Sequence, residues 1–406
     1  MSTSYAVLFQ NLIKLYFFCN IFTAIMPRFV TFFRLGNGLT AALDISWELK
    51  YNEYVTAPKT RAKYNMLCRE VFMIKVRSKM FEESAKSHAS SSIVATILLF
   101  IIVFFIIYLL EGIIPSIAAL KPMAERFEAL GYLSDTSKLT VKESIRVASD
   151  ISGEPRIMLP SLYCTVFGTL TAMFYCRMVE MRPVRSMGAV KKGALRSYLI
   201  GIAVGIVLMS AITLLSVLFG VNSIAVRSGI NFGMIALYFG GFLVQGMSEE
   251  FIFRGYLMNS VGGKHSAALA VGISALAFGL AHAANPGFNA LALFNLVLFA
   301  VFASLYMLNS DNIWGVCAIH SIWNFMQGNF YGISVSGAVN ADSFFITSAK
   351  SSHGFLTGGE FGIEGSIFTT LVLTAAIAAV LYAMIKNKRL FSQTESGEKE
   401  NINENK

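Results

Sequence analysis

The residues Ser228–Ser248, SGINFGMIALYFGGFLVQGMS, carry no charge, and Glu249–Arg254, EEFIFR, follows them directly. An apolar run of about 17 residues or more is long enough to cross a bilayer as a helix. An ionisable group near bilayer depth is costly unless it is paired or faces a wet cavity, so it indicates a functional site by default. Two carboxylates and a guanidinium at the end of such a run therefore predict a site within a membrane fold.

The whole composition points to a membrane protein. The chain has 406 residues, of which 55% are hydrophobic and 14% charged, and its mean hydropathy is +0.60. Only helices and closed barrels satisfy their backbone groups in lipid, and long unbroken runs favour helices. The sequence predicts an all-α, polytopic transmembrane helix bundle with about eight spanning helices. The eight charge-free runs are Ile93–Leu110, Met158–Cys176, Ser197–Val226, Ser228–Ser248, Ser266–His282, Asn289–Asn309, Ile313–Phe330 and Ser366–Ile385.

Lysines and arginines beside the runs predict the orientation. With eight spans, three basic groups fall on one side, which the positive-inside rule makes cytoplasmic. We therefore expect an integral membrane protein of a bacterial plasma membrane, with both termini cytoplasmic. The net charge of +9 indicates topology rather than nucleic-acid binding. The three groups are Lys75, Arg77, Lys79 and Lys86; Arg177, Arg182, Arg185, Lys191, Lys192 and Arg196; and Lys386, Lys388 and Arg389.

The flanking segments are less informative. Leu15–Met26 is too short to span and lacks a cleavage-site pattern, so the N-terminal part is either an interfacial helix or an extension before a later start codon. Lys121–Pro155 is predicted to be an amphipathic segment outside the bilayer, and Gly332–Gly365 a loop that caps the membrane core. The predicted segments are 1–90, an N-terminal extension with a basic juxtamembrane part; 91–227, the first spans; 228–331, the core with the motifs; 332–390, the loop and last span; and 391–406, a disordered tail.

Within EExxxR, helical spacing predicts one ion pair and one carboxylate outside it. Glu250 and Arg254 lie four residues apart and form a favourable i,i+4 ion pair on one helix face. Glu249 lies about 100° away and has no basic residue at helical spacing. We expect Glu250 and Arg254 to support the local structure and Glu249 to face a cavity as the reactive carboxylate. The alternative is a charge network that only fixes the helix end to its neighbours.

Two further polar pairs interrupt apolar runs: Phe278 with His282, and His320 with Asn324. Each pair has i,i+4 spacing, so its members share a helix face. Alone, either pair is explained by packing or by hydrogen bonds between membrane helices. Glu249, His282 and His320 on three separate predicted helices are explained more simply by one buried site.

Two mechanisms fit these groups. In one, Glu249 and His282 polarise a water that attacks an amide carbonyl, while His320 and Asn324 donate hydrogen bonds to the oxyanion. In the other, Glu249, His282 and His320 bind a divalent metal such as zinc and leave one position open for water. The sequence has no HExxH motif, and the metal-free version is favoured.

The ordered motifs EExxxR, Phe278–His282 and His320–Asn324 resemble those of the CPBP family of intramembrane proteases. This family includes CAAX prenyl proteases, lysostaphin resistance protein A-like proteins and bacteriocin-processing or immunity proteins. The resemblance covers about Ser228 to Phe330. It implies that Glu249 and His282 activate water, and that His320 and Asn324 stabilise the oxyanion. Members are often labelled metalloproteases, although a glutamate-dependent mechanism has been argued for the prenyl-protein branch.

The expected function is therefore an intramembrane endopeptidase acting on a peptide or membrane-anchored protein at the lipid bilayer. The alternative is a non-proteolytic scaffold or bacteriocin-immunity protein that binds a peptide in the same cavity. A transporter is a weaker third interpretation, because the chain has no convincing inverted repeat.

Overall fold

The computed structural model describes residues 75–132, 140–338 and 342–391. The predictions about the N-terminal extension up to residue 74, Leu15–Met26 included, and about the tail after 391 lie outside these residues. The division of the chain into predicted segments is likewise not tested.

Helices make up most of the described chain, which confirms a helical fold. Two of them, α7 and α11, continue without a break into π-helices, Phe251–Met258 and Met326–Phe330. The α-helices in chain order are α1 (Lys79–Ala85), α2 (Ile93–Ala129), α3 (Val141–Ser152), α4 (Pro155–Cys164), α5 (Val166–Met178), α6 (Ala194–Leu218), α7 (Phe232–Glu250), α8 (Asn259–Gly262), α9 (Ala267–Ala281), α10 (Ala290–Ser310), α11 (Trp314–Phe325), α12 (Gly354–Thr357) and α13 (Ile367–Lys386).

Two short antiparallel ladders add strand structure that the all-α prediction did not include. β1 (Lys75–Val76) pairs with β4 (Leu390–Phe391), with Lys75 opposite Phe391. β2 (Asn222–Val226) pairs with β3 (Phe345–Ala349), from Asn222 opposite Ala349 to Val226 opposite Phe345. The ladders mark two ends of the bundle, which we call the terminal end (β1–β4) and the cap end (β2–β3).

Side-chain contacts fix which helix ends meet at the terminal end. Asp311, just after α10, accepts a hydrogen bond from Ser78 Oγ at 2.9 Å. Lys264, between α8 and α9, donates to the carbonyl of Ala85 at 2.9 Å. The end of α13 lies there too, because β4 follows it directly. The chain therefore reaches the terminal end before α9, after α10 and after α13.

Five described helices are long and apolar enough to cross a membrane, by length and composition. Helix α9 is apolar but has only 15 residues, and α7 and α11 are not among the five. The predicted count of eight spans therefore stays a prediction for these three segments. In this count α4 and α5 together form one span. The five are Ile93–Ala129, Pro155–Met178, Ala194–Leu218, Ala290–Ser310 and Ile367–Lys386.

The first span differs from the prediction. The apolar run was expected to end at Leu110, but α2 is 37 residues long, ends at Ala129 and takes in the first part of the predicted extramembrane segment, Lys121–Ala129. Apolar residues resume after Glu111, so one carboxylate interrupts the run without ending the helix. Pro115 and Pro122 lie inside α2, and each removes one helical N–H donor.

Close helix packing brings the polar motifs together. A Cβ added at Gly246 on α7 would lie 2.5 Å from the backbone nitrogen of Ser321 on α11. A Cβ at Gly201 on α6 would lie 2.3 Å from the carbonyl oxygen of Gly315. Because glycine has no side chain, the backbones approach closely at both points. Residues 249 and 250 are thereby placed beside His320.

Candidate active site

The EExxxR motif lies where α7 changes its helical geometry. Helix α7 ends at Glu250, and the π-helix Phe251–Met258 follows with all eight residues buried. A π-helical segment inside a helix is rare and is often found at a functional site. The wider helical turn starts directly after the two carboxylates, so it influences how both side chains are presented.

Glu250 and Arg254 form the expected ion pair. Arg254 Nη1 donates to Glu250 Oε1 at 3.0 Å, and both side chains are fully buried. The same oxygen lies 2.8 Å from His320 Nδ1. A carboxylate oxygen accepts, so His320 donates from Nδ1 and presents Nε2 to the other side of its ring. Glu250 thus orients His320 through Nδ1 and leaves Nε2 facing Glu249. The sequence did not predict this contact.

Glu249 faces the two histidines. Its Oε2 lies 3.8 Å from His320 Nε2 and 4.0 Å from His282 Nε2. This oxygen is buried and has no hydrogen-bond partner among the described residues. Its other oxygen, Oε1, accepts from Gln245 Nε2. The structure therefore brings together the three groups that the sequence placed on separate helices.

His282 is held by the helix that carries it. Its Nδ1 lies 2.9 Å from the carbonyl oxygen of Phe278, and because a carbonyl only accepts, Nδ1 donates. The Phe278 ring packs 4.9 Å from the His282 ring and 5.8 Å from the His320 ring. The guanidinium of Arg254 lies 4.5 Å from the centre of the same ring, within cation–π range. Phe278 therefore packs against the buried cation and against both histidines.

Asn324 reaches the site through a residue that the sequence interpretation missed. Asn324 Nδ2 donates to Gln245 Oε1 at 2.8 Å, and Gln245 in turn donates to Glu249. Gln245 lies four residues before Glu249, so it shares a helix face with the carboxylate. The signal available in the sequence was Gln245 itself, an amide side chain one turn before EExxxR in an otherwise apolar helix.

These side chains line a cavity of about 320 Å³. Its wall includes Trp323, and loop residues at the cap end close it from one side. Glu364 holds this loop: it accepts from Trp323 Nε1 at 3.1 Å and from the backbone N–H of Ser336 at 2.8 Å. Part of the segment expected to cap the core thus lies against the site. The site and loop residues that line the cavity are Gln245, Glu249, Phe278, His282, Asn285, Pro286, His320, Trp323, Asn324, Val335, Ser336, Gly337, Ala338 and Glu364.

A second missed residue is Glu111 on α2, which lines a neighbouring cavity together with Glu249 and His282. A single carboxylate between the apolar residues 93–110 and 112–120 was a readable signal, because intramembrane charges are rare. The sequence interpretation took it only as the end of a span.

The donor atoms of the site are too far apart for the zinc alternative. Zinc ligands bind at about 2.0–2.2 Å, which places N and O donors of one tetrahedral site about 3.3 Å apart. The separations of Glu249 Oε2 from the two Nε2 atoms are larger, at 3.8 and 4.0 Å. In the described part of the chain, no group of three or more His, Cys, Asp or Glu side chains is arranged to hold a metal ion. The residues as placed therefore do not form a zinc centre.

Comparison with known proteins gives one family. Residues 230–326 match the family model described as type II CAAX prenyl endopeptidase Rce1-like, and the matched range contains Glu249, His282, His320 and Asn324. No curated protein matches the chain. Over residues 230–326 the chain is thus similar to the type II CAAX prenyl endopeptidases, which confirms its resemblance to the CPBP family of intramembrane proteases.

Proposed function

We propose that this protein is an intramembrane endopeptidase that hydrolyses a peptide bond in a membrane-associated peptide or protein. The observation that carries the proposal is the unpaired Oε2 of Glu249, which faces His282 Nε2 at 4.0 Å on the wall of a cavity. A polar separation of this length can be bridged by one water. The family match supports peptide-bond chemistry at this site.

Glu249 acts as general base in the proposed reaction. It takes a proton from a water bound between Oε2 and His282 Nε2, and the hydroxide attacks the amide carbonyl carbon. The same proton is then delivered to the leaving amine. The Gln245 N–H on Oε1 holds the carboxylate so that Oε2 faces the water.

His320 and Asn324 stabilise the oxyanion. The Asn324 amide has two N–H bonds and uses one on Gln245, so the second is available for the developing charge. His320 Nδ1 donates to Glu250, and the ring therefore donates from Nε2 when it carries both protons. A preorganised donor of this kind contributes about 10²–10³-fold to turnover.

The test is a comparison of membrane and secreted peptides from cells that carry wild type or Glu249→Gln at equal levels. A protease predicts that a precursor accumulates and its product disappears in the variant. Glu125→Gln is the matched control, because Glu125 is an exposed carboxylate on α2. Equal peptide profiles with a retained wild-type phenotype would instead favour a peptide-binding scaffold, which tolerates Glu249→Gln.

The cavity is lined by loops of the cap end, whereas the predicted cytoplasmic basic groups adjoin the terminal end. We propose that the substrate enters from the extracytoplasmic side, as expected for a leader or bacteriocin-like peptide. Cysteines placed at the exposed Ser352 and Lys192 test this, in a chain whose own cysteines are changed to serine. A membrane-impermeant maleimide should label Ser352→Cys in intact cells and Lys192→Cys only after permeabilisation; the reverse pattern contradicts the assignment.

A further inference from the structure

A second cavity, of about 200 Å³, adjoins the first at Glu249, His282 and Asn285. It lies between α2, α5, α7 and α9, and much of its wall is apolar. A peptide bond held at Glu249 has chain on both sides, so it needs space on both sides. The second cavity is placed to take the part of a substrate that the first cavity does not. Its apolar lining residues are Phe104, Ile107, Ile252, Phe253 and Ala281.

Two polar atoms in this region lack partners. Glu111 Oε1 and Ser248 Oγ are buried, and neither has a hydrogen-bond partner among the described residues. Both residues line the second cavity, and Ser248 is fully buried. An unpaired buried acceptor or hydroxyl is costly. The backbone N–H of Gly168 interacts with the Glu111 carboxyl group, and a bound group with further hydrogen-bond donors would satisfy both unpaired atoms.

Gly168 on α5 makes room for these two atoms. A Cβ at this position would lie 2.4 Å from Glu111 Oε1 and 2.6 Å from Ser248 Oγ. Such distances are far below van der Waals contact, so a larger residue here would displace the carboxylate. Pro115 lies four residues after Glu111 and has no N–H for the Glu111 carbonyl, which further loosens α2 there.

The lining of the cavity favours a bound cation. Glu111 and Glu249 contribute two carboxyl groups, and none of the described lining residues is a lysine or an arginine. An ammonium group would stabilise the ionised form of both carboxyl groups and gain charge-assisted hydrogen bonds, whereas a substrate carboxylate would find no counter-charge there. No cluster in the described residues is arranged to hold a metal ion, so an organic cation is the better fit.

We infer that Glu111 is a specificity-determining residue that binds a protonated amine of the substrate in the second cavity. The amine is either a free N-terminal amine or a basic side chain close to the cleaved bond. This inference rests on the proposed endopeptidase function and names a substrate class for it. Glu111 lies outside the residues that match the family model.

Binding is measured first, without any cleavage. The purified chain in lipid nanodiscs is titrated with 4-fluorobenzylamine, 4-fluorobenzyl alcohol or 4-fluorobenzoate, and binding is followed by fluorine NMR. The three probes share one ring that suits the apolar wall and differ in charge. Wild type and Glu125→Gln should bind the amine, whereas Glu111→Gln should bind it at least ten-fold more weakly. Equal amine binding by wild type and Glu111→Gln overturns the inference.

A second variant covers loss of folding. Glu111→Asp keeps the charge but withdraws it by one methylene, so amine binding should fall between those of wild type and Glu111→Gln. If Glu111→Gln does not accumulate, amine binding by Glu111→Asp that equals wild type overturns the inference. Thermal unfolding of each variant separates weak binding from loss of structure.

Cleavage then distinguishes the two sources of the amine and the two proposals. One peptide set has free N-termini and no lysine or arginine; the other is N-acetylated and contains a single lysine. The set that wild type cleaves, and Glu111→Gln cleaves at least ten-fold more slowly, identifies the source. If the amine binds but no peptide is cleaved, the inference about Glu111 stands and the proposed endopeptidase function is contradicted. If peptides are cleaved at rates that depend neither on Glu111 nor on a basic group, the endopeptidase function stands and the inference about Glu111 is overturned.

Discussion

Two buried polar clusters in this molecule differ in how completely their atoms are paired. At the terminal end, Arg182 donates to Glu180, to Ser186 Oγ at 2.8 Å and to the Gly255 carbonyl at 3.2 Å. Ser260 Oγ lies 2.7 Å from the second Glu180 oxygen. Arg182 and Glu180 are almost fully buried, and neither leaves a buried atom unpaired among the described residues.

The cluster around Glu249 is the opposite case. Ser248 Oγ and Glu249 Oε2 are unpaired, and both residues line a cavity. Glu250 and Arg254 also leave atoms unpaired, but neither lines either of the two cavities described above. Removing the partner of a fully paired buried charge destabilises the fold, whereas a buried charge that keeps an unpaired atom toward a cavity is available for a ligand or a reaction. Under the proposed function, this difference distinguishes a structural cluster from the reactive one.

The largest expected effect tests the reactive cluster. Glu249→Gln keeps the shape and the hydrogen bond to Gln245 but removes the general base, whose contribution is about 10²–10⁴-fold. The rate of peptide cleavage by purified protein should fall by that factor, while folded yield and thermal unfolding stay as in wild type. A variant that unfolds would place Glu249 with the structural cluster instead.

The structural cluster should respond in the reverse way. Arg182→Met leaves Glu180 buried without its partner, which costs about 3–5 kcal/mol of stability. Thermal unfolding in detergent should therefore show a clearly lowered midpoint, while cleavage per folded molecule is unchanged. The double variant Glu180→Gln with Arg182→Met removes both charges and should recover much of the loss. A loss of cleavage at full stability would contradict the structural role.

These two clusters also show what the sequence could predict. Spacing alone separated Glu249 from the Glu250–Arg254 pair, because helical geometry sets which side chains share a face. Arg182, in contrast, was interpreted only as a topology signal, and its burial depends on Ser260 and Gly255 from a distant part of the chain. Such long-range contacts have no periodic signature.

The fold was predictable to a similar degree. Apolar runs predicted helices, and the helix of the run Ser197–Val226 ends at Leu218, close to Gly220, which adopts φ +69°, a backbone conformation that glycine adopts without strain. The length of α2 and the strand pair β2–β3 were not predicted, because a charge does not by itself end a helix and because pairing depends on residues more than 100 positions apart.

A smaller effect on the cleavage rate is expected for Gln245, whose amide lies between Glu249 and Asn324. Gln245→Leu removes the hydrogen bonds to Glu249 and Asn324, each worth about 1 kcal/mol. Cleavage should slow by up to about thirty-fold, chiefly in kcat, because the groups remain present but are less well held. Gln245→Glu is the informative companion, since a carboxylate there accepts from Asn324 but repels Glu249. Wild-type cleavage rates in both variants would show that Gln245 does not position the reacting groups.

The smallest effect is expected where the cap loop meets the bundle. Glu364 accepts hydrogen bonds from Trp323 Nε1 and from both the N–H and the hydroxyl of Ser336. Glu364→Gln places an amide N–H₂ where those donors converge, which weakens the attachment of the loop by about 1–2 kcal/mol. The loop should then be cut faster by an added soluble protease, and KM should rise by less than about ten-fold with kcat retained. This split follows because Glu364 positions the cavity wall, whereas Glu249 and His282 are unaffected. A fall in kcat at constant KM would instead show that the loop controls the reacting groups themselves.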